Sequence, residues 1–240
     1  MKKNKNVSVS LHVHEIGDCL RRTLQWCVEH FEEINVVDSG ESTDNTTAIC
    51  NEFNDQINLY TRPFDNFQNQ TNFILDKSTK PWICGLDGDE IIYSPWSMDQ
   101  LVKLLESQGK TAGVVDRINF QKDIYHRRTP IQPDYQTGRL FQGHKRATGP
   151  MHNLFDLSNE IPMVFYQVII LHWGHIRDEE VLLKKSRAYK KFTNEDAADG
   201  KELQQHDDWF VRRNEEWNKN IIAIDNQDMI KYVEKWNAIK

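Results

Sequence analysis

Along the first 90 residues the spacing of apolar positions switches repeatedly between the period of a strand and that of a helix. β-branched residues alternate from Val7 to Val13, which predicts a strand. Apolar residues then recur every three or four positions from Leu20 to Phe31, which predicts a helix capped by Asp18. Such alternation predicts a mostly parallel sheet with helices on both faces. The further predicted strands are Ile34–Val37, Ile57–Tyr60 and Trp82–Leu86, and the further predicted helices are Ala48–Phe53 and Asn66–Lys77.

Beyond residue 90 the pattern is less regular. Ser94-Pro95 predicts a helix start, with Ser as the N-cap and Pro in the first helical position. The polar stretch Gln121–Gln136 predicts a long loop. We expect an α/β domain over residues 1–192 and a helical extension over residues 193–240 that packs on it. The other elements predicted here are strands at Ala112–Phe120, Thr137–Phe141 and Val164–His172, a helix at Glu179–Phe192, and one or two amphipathic helices after Asp207.

Composition narrows the class of protein. Charged residues make up 28% of the 240 residues and hydrophobic residues 38%, which is typical of a soluble domain. No apolar run has the length of a membrane span, and no signal-peptide core follows the polar N-terminus. The four cysteines lack C-x-x-C spacing, so we expect core thiols in a reducing cytoplasm.

Charge is unevenly distributed along the chain. The net charge is −6, and the acidic excess lies in residues 1–116, whereas residues 117–240 carry a slight basic excess. The basic clusters of the second part either form solvated faces or bind an anionic ligand or acceptor. These clusters are His126-Arg127-Arg128, His144-Lys145-Arg146 and Lys184-Lys185-Ser186-Arg187.

The stretch Trp82–Glu90 has the strongest chemical signal. It reads W-I-C-G-L-D-G-D-E, an apolar run that ends in three acids. Ligands of open α/β sheets bind beyond the carboxyl ends of the strands, where Asp87 and Asp89 could meet a divalent cation and the phosphates that it carries. The alternative is an acidic turn that only closes a strand. A second strand also ends in an acid-rich loop, at Asp38, and the two loops together are more specific than either one.

These two loops resemble motifs of the family 2 glycosyltransferases, which have the GT-A fold. Residues 36–46 read V-V-D-S-G-E-S-T-D-N-T and resemble V-D-S-x-S-x-D-x-T, with one extra residue at Gly40 or Glu41. The D-G-D-E segment resembles the family's D-x-D-E element, with Gly88 where a small Ala is common. The segment 66–72, with Asn66-Phe67, Gln70 and Asn72, resembles the helix that precedes this metal motif in the family.

A looser resemblance extends to about residue 192. R-L-F at residues 139–141 and G-P-M-H at residues 149–152 resemble an R-L-F…G-x-x-H segment of the bacterial-type members. L-H-W-G at residues 171–174, with Lys184 or Lys185 and then Tyr189, resembles their closing H-x-G…K…Y segment.

The resemblance implies a Rossmann-like mixed sheet and a reaction. A sugar would pass from a nucleotide diphosphate, predicted to be a UDP-sugar, to an acceptor hydroxyl, with inversion as the usual outcome. Mn²⁺ or Mg²⁺ would stabilise the leaving diphosphate. Asp89 would bind the metal and His172 would be a third ligand, with His175 as a competitor and a strand-capping histidine as the alternative.

The resemblance also implies a nucleotide pocket. Asp38 would accept hydrogen bonds from the uracil or ribose, and Asp87 would hold the ribose or a metal-bound water. Arg139 would pair with the diphosphate or only cap a strand. The complete set predicted to bind the nucleotide is Ser10, His12, Glu15, Asp38, Ser39, Asp87, Gly88 and Arg139.

The general base is not carried over from the resemblance. Related sequences place Glu after the His of G-x-x-H, whereas Asn153 follows His152 here. His152 itself, Asp116 and Asp134 are the candidates for deprotonating the acceptor.

The acceptor and the activity leave alternatives. Bacterial members that the chain resembles act on lipopolysaccharide or capsule sugars, which predicts a saccharide acceptor. A phage-type enzyme acting on a hydroxymethylated DNA base is the second hypothesis, because of the basic second part of the chain. A nucleotide-binding module without catalysis is the third, because of the departure at Asn153.

Overall fold

The computed structural model describes residues 3–128, 137–143, 145–148, 154–155, 161–184, 187 and 200–239. Within these ranges the helices are α1 (Cys19–His30), α2 (Thr46–Glu52), α3 (Phe67–Leu75), α4 (Met98–Ser107), α5 (Gly200–Lys219) and α6 (Gln227–Asn237), and residues 179–184 are also helical. The strands are β1 (Asn4–Val13), β2 (Phe31–Asp38), β3 (Asn58–Thr61), β4 (Trp82–Asp87), β5 (Glu90–Tyr93), β6 (Ala112–Gln121), β7 (Asp123–Arg128), β8 (Thr137–Gln142), β9 (Ala147–Thr148), β10 (Leu154–Phe155), β11 (Met163–His172) and β12 (Ile221–Ala223).

The first four strands form the parallel part of the main sheet. β1 lies in the centre, with β2 on one side and β4 on the other, and β3 pairs with β2. Val7, Val9 and Leu11 of β1 are fully buried. A strand covered by helices on both faces has no solvent side, which explains the apolar runs in the sequence.

The rest of the sheet is mostly antiparallel. β8 lies antiparallel between β4 and β6, β7 pairs antiparallel with β6, and β11 runs parallel to β6 but antiparallel to β5. β9 and β10 form a separate two-stranded sheet. The other ten described strands form one sheet in the order β12-β7-β6-β8-β4-β1-β2-β3, with β11 beside β6 and β5 beside β11. The sheet is therefore mixed, as expected for GT-A, and its parallel character is concentrated in the first 87 residues.

β11 contains an irregularity. Its first part, residues 163–165, pairs with residues 113–115 of β6. Its last part, residues 169–172, pairs with residues 116–119. The intervening residues 166–168 are skipped in the pairing with β6. His172 thereby lies opposite both Asn119 of β6 and Glu90 of β5.

Two predicted elements differ from the structure, and one strand of the structure was not predicted. Helix α4 begins at Met98 rather than at Ser94-Pro95, because Ser97 and Gln100 form a capping box while Ser94 closes a turn through Trp96. Strand β5 directly after the acids was not predicted. The predicted loop from Gln121 contains strand β7, and residues 129–136 lie outside the described ranges.

The C-terminal segment packs on the same core. Met229, Val233 and Trp236 of α6 belong to the main cluster of buried apolar residues. Trp26 of α1 donates to Tyr232 Oη at 2.6 Å, and β12 extends the sheet by pairing with β7. The predicted helix after Glu179 is helical over residues 179–184, and apart from residue 187 its remainder lies outside the described ranges.

Candidate functional site

The carboxyl ends of β1, β2 and β4 lie side by side at one edge of the sheet. Strand pairing sets Val13 opposite Asp38 and His12 opposite Asp87. The two acid-rich loops thus meet at the position where open α/β sheets bind ligands. Ser10 lies two residues behind His12, is buried, and places its Oγ 2.9 Å from that of Ser78.

The first acid loop, residues 38–47, is held together by its own residues. Asp38 is buried, and its carboxylate accepts from Gly40 N at 3.1 Å and from Thr47 Oγ1 at 2.6 Å. Ser39 Oγ lies 2.8 Å from His14 Nδ1. Gly40 has a φ of +75°, and a Cβ there would come within 2.8 Å of Thr61, so this tight turn favours glycine.

Glu15 connects the end of β1 to the first acid loop. It has a φ of +52°, and its Oε1 accepts from Thr43 N at 2.7 Å and from Lys184 Nζ at 3.1 Å. Burial would raise the pKa of Glu15, but the hydrogen bonds from Thr43 and the contact with Lys184 lower it below its ordinary value. The backbone here is therefore fixed by contacts from two distant segments.

The second acid turn, residues 87–90, is surrounded by cations. Asp87 Oδ2 lies 3.2 Å from Arg139 Nη2 and 3.8 Å from Arg117 Nη2, and Oδ1 lies 3.6 Å from His12 Nε2. Burial would raise the pKa of Asp87, but the charges of Arg139, His12 and Arg117 hold it well below its usual range. Asp87 is therefore ionised at neutral pH.

Glu90 is the most deeply buried acid of this turn. Its carboxylate accepts from Asp87 N at 3.0 Å and lies 3.0 Å from Arg117 Nη2 and 2.9 Å from Arg139 Nη2. Burial raises the pKa of Glu90, while the two guanidinium charges act in the opposite direction. Glu90 therefore ties the turn to β6 and β8.

Gly88, in the same turn, leaves no room for a side chain, since a Cβ would meet Val13 at 2.9 Å.

Alternate residues of β6 face the acids. Arg117 contacts Glu90, and Asn119 Oδ1 lies 2.7 Å from His172 Nδ1. Successive residues of a strand point to opposite faces, so Asp116 lies on the other face from Arg117. Neither Arg117 nor Asn119 was singled out from the sequence, although polar residues at every second position of an otherwise apolar strand were the available signal.

Asp89 and His172 form a buried pair. Asp89 Oδ1 lies 3.4 Å from His172 Nε2, and their side chains are 2% and 7% exposed. Asn119 Oδ1 can only accept, so the hydrogen bond with His172 is donated by Nδ1 and turns Nε2 toward Asp89. A Cβ on Gly174 would lie 2.4 Å from this Nε2 and 2.8 Å from Asp89 Oδ2, so Gly174 packs directly against both side chains and leaves no room for a larger residue.

Arg177 contacts the same carboxylate from the other side. Its Nη2 lies 3.0 Å from Asp89 Oδ2, and its Nη1 donates to the Glu15 carbonyl at 2.9 Å. The sequence did not single out this residue. The ring of His175 lies 5.0 Å from that of His172, edge to face.

Several predicted residues lie outside the described ranges, namely His152, Asp134, Lys185 and Tyr189. In the part of the chain that the structure describes, no group of three or more His, Cys, Asp and Glu side chains could hold a metal ion. A cation at Asp89 and His172 would need further ligands from a bound molecule. Within the described ranges every helix is too short or too polar to cross a bilayer.

A solved structure that matches 90% of the chain supports the GT-A architecture. The mannosyltransferase PcManGT from Pyrobaculum calidifontis, in complex with GDP-Man and Mn²⁺, matches with a TM-score of 0.51 and 14% identity over 90% of this chain and 72% of that chain. TarS residues 1–349 from S. aureus, in complex with UDP-GlcNAc, match with a TM-score of 0.47 and 11% identity over 87% of this chain and 72% of that chain. The fold of the chain is GT-A-like.

Sequence comparison identifies the family. No curated protein matches the chain. The model of the family described as "Glycosyl transferase family 2" matches residues 10–161, which is more than half of the chain and includes both acid loops. The chain therefore belongs to glycosyl transferase family 2.

Proposed function

We propose that the chain transfers a sugar from a nucleoside diphosphate donor to a saccharide hydroxyl. The proposed donor is a UDP-sugar, and the proposed cofactor is Mn²⁺ or Mg²⁺. The single observation that carries this proposal is the buried pair of Asp89 Oδ1 and His172 Nε2, against which the backbone of Gly174 packs. The pair lies at the sheet edge where strands β1, β2 and β4 end.

The chemistry of the pair fits a small divalent cation. Metal–ligand distances for such ions are about 2.1 Å, so two atoms that lie 3.4 Å apart can both reach one ion. Asn119 orients the imidazole, as outer hydrogen-bond partners of metal-bound histidines commonly do. Ions of this class are usually held by one or two protein groups and by substrate phosphates. The bound cation would supply Lewis-acid stabilisation of the leaving diphosphate.

The surrounding residues have complementary roles in this proposal. Asp38, fixed by Gly40 and Thr47, presents a preorganised carboxylate to the nucleoside. Arg139 orients Asp87 toward the ribose or a metal-bound water. Deprotonation of the acceptor stays a prediction for His152 and Asp116, and the position of Asp116 on the face of β6 opposite to Arg117 makes it the weaker candidate.

The state of the basic clusters favours a saccharide acceptor over DNA. His126 Nδ1 lies 2.6 Å from Asp123, and Arg128 Nε donates to Gln121 at 2.8 Å. Arg146 and Lys184 pair with Asp76 and Glu15. Cations with carboxylate or amide partners within the fold contribute less to the phosphate contacts that dominate DNA binding.

The test measures UDP and GDP binding by calorimetry with and without Mn²⁺. We expect Mn²⁺ to tighten binding of the cognate nucleotide at least about tenfold, which is roughly 1.4 kcal/mol. Asp89→Asn should abolish this gain because it removes the ligand charge. Gly174→Ala should reduce it because the added Cβ would clash with His172 Nε2 and displace the imidazole.

The matched control is Asp76→Asn, an exposed acid paired with Arg146, which should behave like the wild type. An unchanged Mn²⁺ effect in Asp89→Asn would reject the metal site. DNA retention at low salt in a gel shift would favour the DNA-directed alternative. Binding without any turnover or hydrolysis of donor sugars would favour the inactive module.

A further inference from the structure

The acids of the second acid turn are already neutralised by arginines. Each of the three carboxylates faces a guanidinium supplied by a different part of the chain. The pairs are Asp87 with Arg139 at 3.2 Å, Glu90 with Arg117 at 3.0 Å, and Asp89 with Arg177 at 3.0 Å. A site that held a divalent cation by charge alone would instead leave its carboxylates unbalanced.

Arg177 is fixed in place at both ends of its guanidinium. Nη1 donates to the Glu15 carbonyl and Nη2 to Asp89 Oδ2, and the side chain is 7% exposed. Because the guanidinium is planar and rigid, it loses little conformational entropy for each hydrogen bond that it forms. Arg177 is therefore a permanent neighbour of Asp89 and not a surface charge that happens to lie near it.

The two oxygens of Asp89 have separate partners. Oδ2 lies 3.0 Å from Arg177 Nη2, while Oδ1 lies 3.4 Å from His172 Nε2. Arg177 therefore contacts the oxygen that is not the proposed metal ligand, but it cancels the negative charge that would attract a cation to Oδ1. In a buried site this cancellation is poorly screened by solvent.

We propose that Arg177 is a positioning residue that makes cation binding conditional on the nucleoside diphosphate. This inference rests on the function proposed above. The diphosphate brings the negative charge that the site lacks, so the cation and the nucleotide bind as a unit. By linkage the factor by which the nucleotide tightens cation binding equals the factor by which the cation tightens nucleotide binding.

The test follows Mn²⁺ binding to the whole chain by the loss of the free-ion EPR signal, without nucleotide and with UDP or GDP. For the wild type we expect weak binding of Mn²⁺ alone and about 100-fold tighter binding with the cognate nucleotide. Arg177→Gln keeps hydrogen-bonding capacity but removes the charge. It should bind Mn²⁺ alone at least about tenfold more tightly than the wild type, and its coupling to the nucleotide should fall.

Two further variants separate charge from structure. Arg177→Lys keeps the charge and should stay close to the wild type in its affinity for Mn²⁺ alone. Arg146→Gln, at an exposed pair with Asp76, is the matched control and should change nothing. The expected result is a gain of affinity, which misfolding does not produce.

The outcomes distinguish the two proposals. If Arg177→Gln binds Mn²⁺ alone no more tightly than the wild type, while both still couple it to nucleotide, Arg177 does not have this role and the proposed function stands. Tight Mn²⁺ binding by the wild type without nucleotide would reject the inference in the same way. If neither nucleotide affects Mn²⁺ binding in the wild type and Asp89→Asn is also without effect, the metal site and this inference are both rejected.

Discussion

The first acid loop and the second acid turn present carboxylates to the same edge of the sheet but stabilise them differently. Asp38 is held by neutral donors two and nine residues away along the chain, Gly40 N and Thr47 Oγ1. Asp87 and Asp89 are held by arginines 52 and 88 residues away. One site is a local hydrogen-bonded turn, whereas the other exists only once the whole domain has folded.

This difference separates binding of the nucleoside from control of charge. A buried carboxylate held by neutral donors keeps its full negative charge available to a ligand. A carboxylate beside a guanidinium has that charge compensated. The two regions should therefore respond differently to the loss of one partner.

The largest effect is expected for Arg139→Met. The substitution leaves Asp87 and the fully buried Glu90 with Arg117 as the remaining guanidinium among the contacts described above. Breaking a buried ion pair from one side leaves an uncompensated charge, so the free energy of unfolding should fall by about 3 kcal/mol. Urea unfolding measures it.

The control for this change is Arg146→Met, whose pair with Asp76 has side chains 43% and 59% exposed. An exposed pair of this kind contributes under about 1 kcal/mol. Equal losses in the two variants would contradict the view that burial makes the second acid turn sensitive.

An intermediate effect is expected for Thr47→Val in the first acid loop. The near-isosteric change removes the hydroxyl that donates to Asp38 Oδ2 at 2.6 Å. A buried acceptor that loses one of its donors costs about 1–2 kcal/mol, read again from urea unfolding. Thr61→Val at an exposed strand position should change stability by less than about 0.5 kcal/mol. A loss as large as that of Arg139→Met would remove the distinction between the two regions.

The smallest effect concerns the pH dependence of Glu15. Its pKa is lowered in the folded chain, so its contribution to stability is present above its ordinary pKa of 4.5 and is lost as pH falls through the lowered value. The stability difference between wild type and Glu15→Gln should therefore shrink on going from pH 7 to below 4.5. Because Lys184 is 56% exposed, the difference should stay under about 1 kcal/mol. A difference that grows on acidification would contradict this assignment.

The parallel part of the fold could be predicted because its strands are buried on both faces and read as apolar runs. The acids at the ends of β2 and β4 could be predicted for the same reason, since a strand end is visible in the sequence. Strand β5 could not, because it is short and begins with the acid Glu90.

The arginines around the second acid turn were harder to predict. Arg139 was found because it belongs to the R-L-F segment. Which face of the sheet Arg117 points to depends on where β6 begins its alternation, and the position of Arg177 depends on the path of the segment that follows β11. Neither contact can therefore be predicted from local residue spacing. Contacts that depend on strand register and on the path of irregular segments require the folded chain.

The skipped residues of β11 have a consequence for how this chain can change in evolution. If the pairing of Met163 with Gly113 continued unbroken, Ile169 and not His172 would lie opposite Asn119. The irregularity at residues 166–168 thus divides β11 into two parts, residues 163–165 and residues 169–172, which pair with β6 in different registers. Tyr166 is 73% exposed. A change in chain length at residues 166–168 would therefore alter the pairing of residues 163–165 with β6, while His172 would keep its place opposite Asn119.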